Sequence, residues 1–101
     1  MTTNIKKVSD NSFIVEICGR FSADAAQDFL KAVDPLTKES RADIVLDLGG
    51  LDFISSAGLR CFVILLKASE ANGSSLHLRN LSPTILDIFS LTALIDKFVI
   101  E

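Results

Sequence analysis

Between residues 13 and 21 apolar side chains fall on alternate positions, with Phe13, Val15 and Ile17 on one face and Glu16 on the other. A period of two predicts a half-buried strand, and Gly19 punctuates its end. Upstream, residues 5–8 form a weaker strand candidate. The Asp10, Asn11, Ser12 cluster between them predicts a hairpin turn. The period then changes. Ser22 is a suitable helix N-cap, and Ala25, Phe29 and Val33 recur every four residues with Ala26 and Leu30 beside them, which predicts an amphipathic helix. Pro35 should kink or end that helix near Val33, with Asp34 capping a further turn through Leu36 toward Glu39.

Residues 43–48 are rich in Ile, Val and Leu with little alternation, the pattern of a central strand covered on both faces. Gly49 and Gly50 should break it. A helix is expected over residues 58–71, stopped by Asn72 and Gly73, followed by a strand over 75–79. Ser82 as cap, Pro83 at the first helical position, and Ile85, Leu86, Ile88 and Phe89 predict a short helix. A last strand is expected over 97–100. The resulting order, β-β-α-β-α-β-α-β, predicts an α/β fold in which helices pack on a mixed β-sheet.

A chain of 101 residues with 49% hydrophobic composition supports one domain, residues 1–101, with one core. A formal net charge of -3 supplies no basic field for nucleic acid or anionic lipid. The longest apolar run, residues 61–66, is far short of the roughly 20 residues that cross a bilayer, so no membrane insertion is expected. The polar N-terminus lacks the layout of a secretory signal, which points to the cytoplasm. Cys18 and Cys61 each lie in an apolar segment, the usual setting of reduced, buried thiols.

Most enzyme chemistry lacks its residues. One His and two distant Cys make no plausible zinc site, and neither a GxGxxG nor a GxxxxGK pattern occurs. A Ser56–His77 dyad can be imagined, but there is no GxSxG, and His77 sits in an alternating strand where it reads most simply as solvent-facing. No catalytic residue, cofactor or metal is expected.

The informative stretch is Leu51-Asp52-Phe53-Ile54-Ser55-Ser56-Ala57-Gly58-Leu59-Arg60, where the central strand meets a helix. Ser56 could cap the first turn, while Ala57 and Gly58 permit close approach of another chain. In the following helix Leu59, Cys61, Phe62, Val63, Ile64, Leu65 and Leu66 leave only a narrow polar stripe through Arg60 and Lys67, an apolar surface that either a neighbouring helix or a docked partner could cover.

Ser55-Ser56-Ala57-Gly58-Leu59 resembles the Asp-Ser-Ser/Thr-Gly-Leu signature of STAS domains, specifically single-domain bacterial anti-sigma factor antagonists. Ile17-Cys18-Gly19-Arg20-Phe21 is similar to that family's second strand, Val45-Leu46-Asp47-Leu48 to its central strand, and Leu81-Ser82-Pro83 with residues 89–94 to its last helix region. The resemblance implies helices packed mainly on one sheet face and a partner-switching function. The unphosphorylated form would bind an anti-sigma factor that is also a serine kinase, phosphorylation would release it, and a phosphatase would reset it. By position the acceptor is Ser56, with Ser55 second. Gly19, Arg20, Phe21, Ser22, Ser55, Gly58, Leu59 and Phe62 are the expected docking rim, and Asp47 is expected to hold the loop by hydrogen bonds. ATP would belong to the kinase. Two positions depart from the signature: Ser55 replaces the Asp, and Ala57 the second hydroxyl. A different class also fits, a STAS subunit of a lipid-transport ABC system that binds its ATPase constitutively.

Overall fold

The computed structural model describes residues 1–101. It opens with the expected hairpin, β1 (Thr2–Ser9) and β2 (Ser12–Phe21), joined at Asp10 and Asn11. A 3₁₀ turn (Ala23–Ala25) leads into α1 (Ala26–Thr37), followed by β3 (Asp43–Ile54), α2 (Ser56–Ala71), β4 (Ser75–Arg79) and α3 (Pro83–Leu91). A second 3₁₀ turn (Ile95–Lys97) precedes the short β5 (Val99–Ile100). The five strands lie side by side in chain order, β1 antiparallel to β2 and all later neighbours parallel.

That order explains where the helices go. Each of α1, α2 and α3 crosses from one parallel strand to the next in the same direction along the sheet. Crossovers of one hand that step in one direction lie on one face. The other face stays open, and the strands accordingly alternate. In β3, Ile44, Leu46 and Leu48 are buried while Asp43, Val45 and Asp47 point to the open side. The expectation of a central strand covered on both faces is therefore corrected. Val45 is apolar yet lies on the open face, which disguised the alternation.

Gly49 and Gly50 do not end β3, which continues to Ile54. Gly50 lies opposite Cys18, where a β-carbon would stand 2.5 Å from the Cys18 Sγ. Glycine thus allows β2 and β3 to stay paired across the register shift between Glu16 and Cys18. Gly19, expected at a strand end, lies inside β2 at φ +96°, a conformation that favours glycine, beside the second register shift between Gly19 and Arg20. Pro35 likewise fails to stop α1. Phe29, Val33 and Leu36 form one buried stripe running past it. Docking that last turn on the core outweighs the single backbone hydrogen bond proline cannot donate. Asp34 caps no new turn; its carboxylate pairs with Lys38 at 3.0 Å.

The core is a continuous cluster between sheet and helices, and five phenylalanines run through it. Phe21 lies 5.0 Å from Phe29 and 5.8 Å from Phe62, Phe62 lies 6.2 Å from Phe89, and Phe89 lies 5.7 Å from Phe98, centroid to centroid. Edge-on and offset ring contacts add to the apolar burial. The chain of rings ties the end of β2 to all three helices, so the β2 and β3 termini stand on a rigid base. Cys61 is buried as expected, and burial pushes its thiol pKa up. Cys18, expected to be buried, is exposed, because at the bulge its side chain points to the open face.

Candidate functional site

The strand–helix junction is built by two short connections. The Ser55 amide donates to the Phe21 carbonyl at 2.8 Å, which holds the exits of β2 and β3 side by side. The Ser55 hydroxyl then accepts from the Gly58 amide at 3.1 Å and caps α2. Ser55, and not Ser56, is therefore the N-cap. Its extended backbone, at φ -83° and ψ 169°, is the conformation an N-cap requires. Ser56 becomes the first helical residue, exposed and free of any capping role.

Gly58 explains how the helix start sits so low on the sheet. A β-carbon there would lie 2.7 Å from Ile54 Cγ1 and 2.9 Å from two ring atoms of Phe21. Both neighbours are core residues, so only glycine lets the first turn of α2 approach this closely. The close approach fixes the height of Ser56 above the sheet edge.

Of the expected docking rim, Arg20 is exposed and Gly19, Ser22 and Ser55 are partly exposed, at the paired exits of β2 and β3 that lead to Ser56. The structure does not bring Phe21, Gly58, Leu59 or Phe62 to the surface, all of which are buried. Phe21 points to the helix-covered face of β2, and α2 presents positions 58, 59, 62 and 65 inward as one stripe. The apolar flank of α2 is largely covered as well. Cys61 packs against α1, with Sγ 3.8 Å from the Ala26 carbonyl oxygen, and Ile64 is the one large apolar residue of α2 that stays exposed.

Asp47 holds a different loop from the one expected. Its carboxylate accepts from the Gly49 amide at 3.0 Å, the Asn80 side chain at 3.1 Å and the Arg79 guanidinium at 3.2 Å. These bonds fasten the end of β4 to the middle of β3. Burial pushes the Asp47 pKa up, but the Gly49, Asn80 and Arg79 donors together outweigh it and hold the carboxyl below the usual carboxylate range.

Two features escaped the sequence reading. The Arg20 guanidinium lies 4.5 Å from the Phe53 ring centroid, a cation–π contact between paired positions of β2 and β3. The Ser22 hydroxyl donates to the Asp24 carboxylate, which holds that carboxyl below its usual range. Ser22 was expected to cap a helix, but the chain enters a 3₁₀ turn there and the side chain caps nothing. A Ser-x-Asp spacing signals the second contact only when no helix competes for the serine.

His77 does not serve Ser56 as a base. His77 pairs with Val45 on the open face of the sheet, and Ile54 lies nine residues along β3 from Val45, about 30 Å of extended strand. The dyad is geometrically excluded. An exposed, unactivated hydroxyl on a rigid helix start is suited to receive a group from another protein and to lie within a docked surface.

A five-stranded sheet that opens with an antiparallel hairpin and continues in parallel, helices on one face and an exposed serine at the start of α2 define a class. Residues 4–101 match the STAS domain family, and the chain belongs to it. Among its curated relatives, the anti-sigma-B factor antagonist of Bacillus subtilis is 31% identical over 90 residues, covering 89% of this chain and 82% of the relative. The anti-sigma-B factor antagonist of Staphylococcus aureus is 27% identical, covering 95% and 90%. Among solved structures, the unphosphorylated anti-sigma factor antagonist SpoIIAA superposes with a TM-score of 0.84 at 17% identity, covering 99% of this chain and 88% of that one. The phosphorylated form of Bacillus SpoIIAA gives 0.77 at 17%, covering 99% and 91%. These likenesses show the same fold.

Proposed function

We propose that the chain is an anti-sigma factor antagonist that works as a binding switch. In its unmodified form it docks an anti-sigma factor through the surface around Ser56. Phosphorylation of Ser56 by that partner, a serine kinase, ends the complex, and a phosphatase restores it. The chain itself is not an enzyme, carries no cofactor and acts in the cytoplasm.

The observation that carries the reading is the division of labour between the two serines. Ser55 is occupied as the N-cap, so modifying it would remove the hydrogen bond to Gly58. Ser56 is exposed one residue later and takes no part in the cap, so modifying it removes no capping hydrogen bond. A phosphate adds about -1.5 to -2 charges and three acceptor oxygens. On a rigid, closely packed contact that charge disrupts docking by desolvation and bulk, with no refolding required.

The test is a pull-down from native-host lysate with wild-type and Ser56→Glu baits, both confirmed folded, and mass spectrometry of what each retains. The switch predicts that wild type retains a small ATPase of the histidine-kinase-like type and Ser56→Glu loses it. Equal retention of a transporter ATPase by both would instead make the chain a constitutive STAS subunit of a lipid-transport ABC system.

A further inference from the structure

We propose that Arg60 is the built-in receptor for the phosphate on Ser56, so that the modified chain holds its own phosphoryl group against α2. The inference rests on Ser56 being the acceptor and adds what happens to the group once it is there.

Ser56 and Arg60 are both exposed and stand four residues apart in α2. At that spacing two side chains lie on one helix face with β-carbons about 5–6 Å apart. A guanidinium reaches that distance and meets phosphate oxygens with two parallel N–H donors. In the unmodified chain Arg60 has nothing to pair with. The four ion pairs of the structure are Lys6–Glu16, Lys38–Asp34, His77–Glu101 and Arg79–Asp47. The first turn of α2 contains no acidic residue. Arg60 is thus an unpaired cation near the positive end of a helix, a placement that costs a little until an anion arrives.

The two serines differ in this respect. Ser55 is the N-cap with extended backbone, so the i,i+4 relation does not extend to it, and its hydroxyl is turned to the Gly58 amide. Only Ser56 stands on the helix with Arg60 one turn away. The other charged groups at this end of the domain are already placed: Arg20 over Phe53, Asp24 bound to the Ser22 hydroxyl, and Asp52 exposed on β3. Phosphorylation would therefore do two things at once. It would add negative charge at the docking surface and withdraw the one free cation of the first helical turns from any partner carboxylate.

The experiment installs phosphoserine at position 56 during synthesis, with no kinase involved, and titrates the phosphate by ³¹P NMR. In wild type the second ionisation should fall about 0.15–0.35 pH units below that in Arg60→Gln, the size of an i,i+4 ion pair. Arg20→Gln should titrate as wild type does. Equal values in wild type and Arg60→Gln would overturn the inference, as would an equal displacement by Arg20→Gln. Arg60 and Arg20 are exposed, so neither change threatens the fold. Because the phosphate is installed chemically, failure here is separate from failure of the host kinase to modify Ser56.

Discussion

Replacing Gly58 by alanine sets two opposing effects against each other at the base of the site. In an unconstrained helix the change stabilises by about 1 kcal/mol, because glycine is the poorer helix former. Here the added methyl would stand 2.7 Å from Ile54 Cγ1 and 2.9 Å from Phe21 Cγ and Cδ1. Neither neighbour can retreat: Phe21 is fully buried between Phe29 and Phe62, and Ile54 is 3% exposed. Overpacking a fixed site typically costs about 1–3 kcal/mol, and contacts on two sides place this one at the upper end. The net expectation is destabilisation by about 1–2 kcal/mol. Urea denaturation followed by circular dichroism should show a lower midpoint with an unchanged m value. The double variant Gly58→Ala, Phe21→Leu should cost less than the two single changes added together, since the smaller side chain gives the methyl room. A neutral or stabilising Gly58→Ala would refute the argument that close packing sets the height of α2.

Other perturbations separate stability from switching. Ser55→Ala should lose about 1 kcal/mol in urea denaturation through loss of the cap, while Ser55→Asp, an equally good cap, should stay near wild type. Asp47→Asn removes the ion pair with Arg79 and should cost about 1 kcal/mol at neutral pH. Because the folded-state pKa of Asp47 is lowered, its contribution is present above the unfolded value of about 4 and is lost as pH falls below that. The stability gap between wild type and Asp47→Asn should accordingly close between neutral pH and strongly acidic pH, as read by thermal melts across that range. An aromatic disulfide reagent should label Cys18 in the native state and Cys61 only in denaturant, which stopped-flow absorbance distinguishes directly.

The elements whose apolar period is regular were legible from the sequence. The β2 alternation, the α1 stripe through Phe29 and Val33, and the Ser82–Pro83 start of α3 all stand where the pattern placed them. The errors share a cause: local breaking signals were overruled by contacts distant in sequence. Gly50 is a glycine because Cys18 lies across from it, and Pro35 is carried by the docking of Leu36. Neither relation is visible along the chain. Val45 concealed an open sheet face by being apolar on the polar side.

The site was legible as a segment and less so as a surface. The run from Ser55 to Leu59 marked the junction correctly. Which side chains face outward depended on the phase of α2, which turns Gly58, Leu59 and Phe62 inward, and on the alternation of β2, which buries Phe21. The cap was misplaced by one residue. That shift matters, because it frees Ser56 and occupies Ser55.

The central claim is that one phosphate on Ser56 decides whether the partner stays bound. The direct measurement is the affinity of the retained ATPase, purified, for the unmodified chain and for the chain carrying phosphoserine at position 56, by calorimetry at one salt concentration. A charged group carried into a closely packed interface with no partner group across it costs about 2–5 kcal/mol, so the phosphorylated chain should bind at least about 30-fold more weakly. Equal affinities for the two forms would contradict the account.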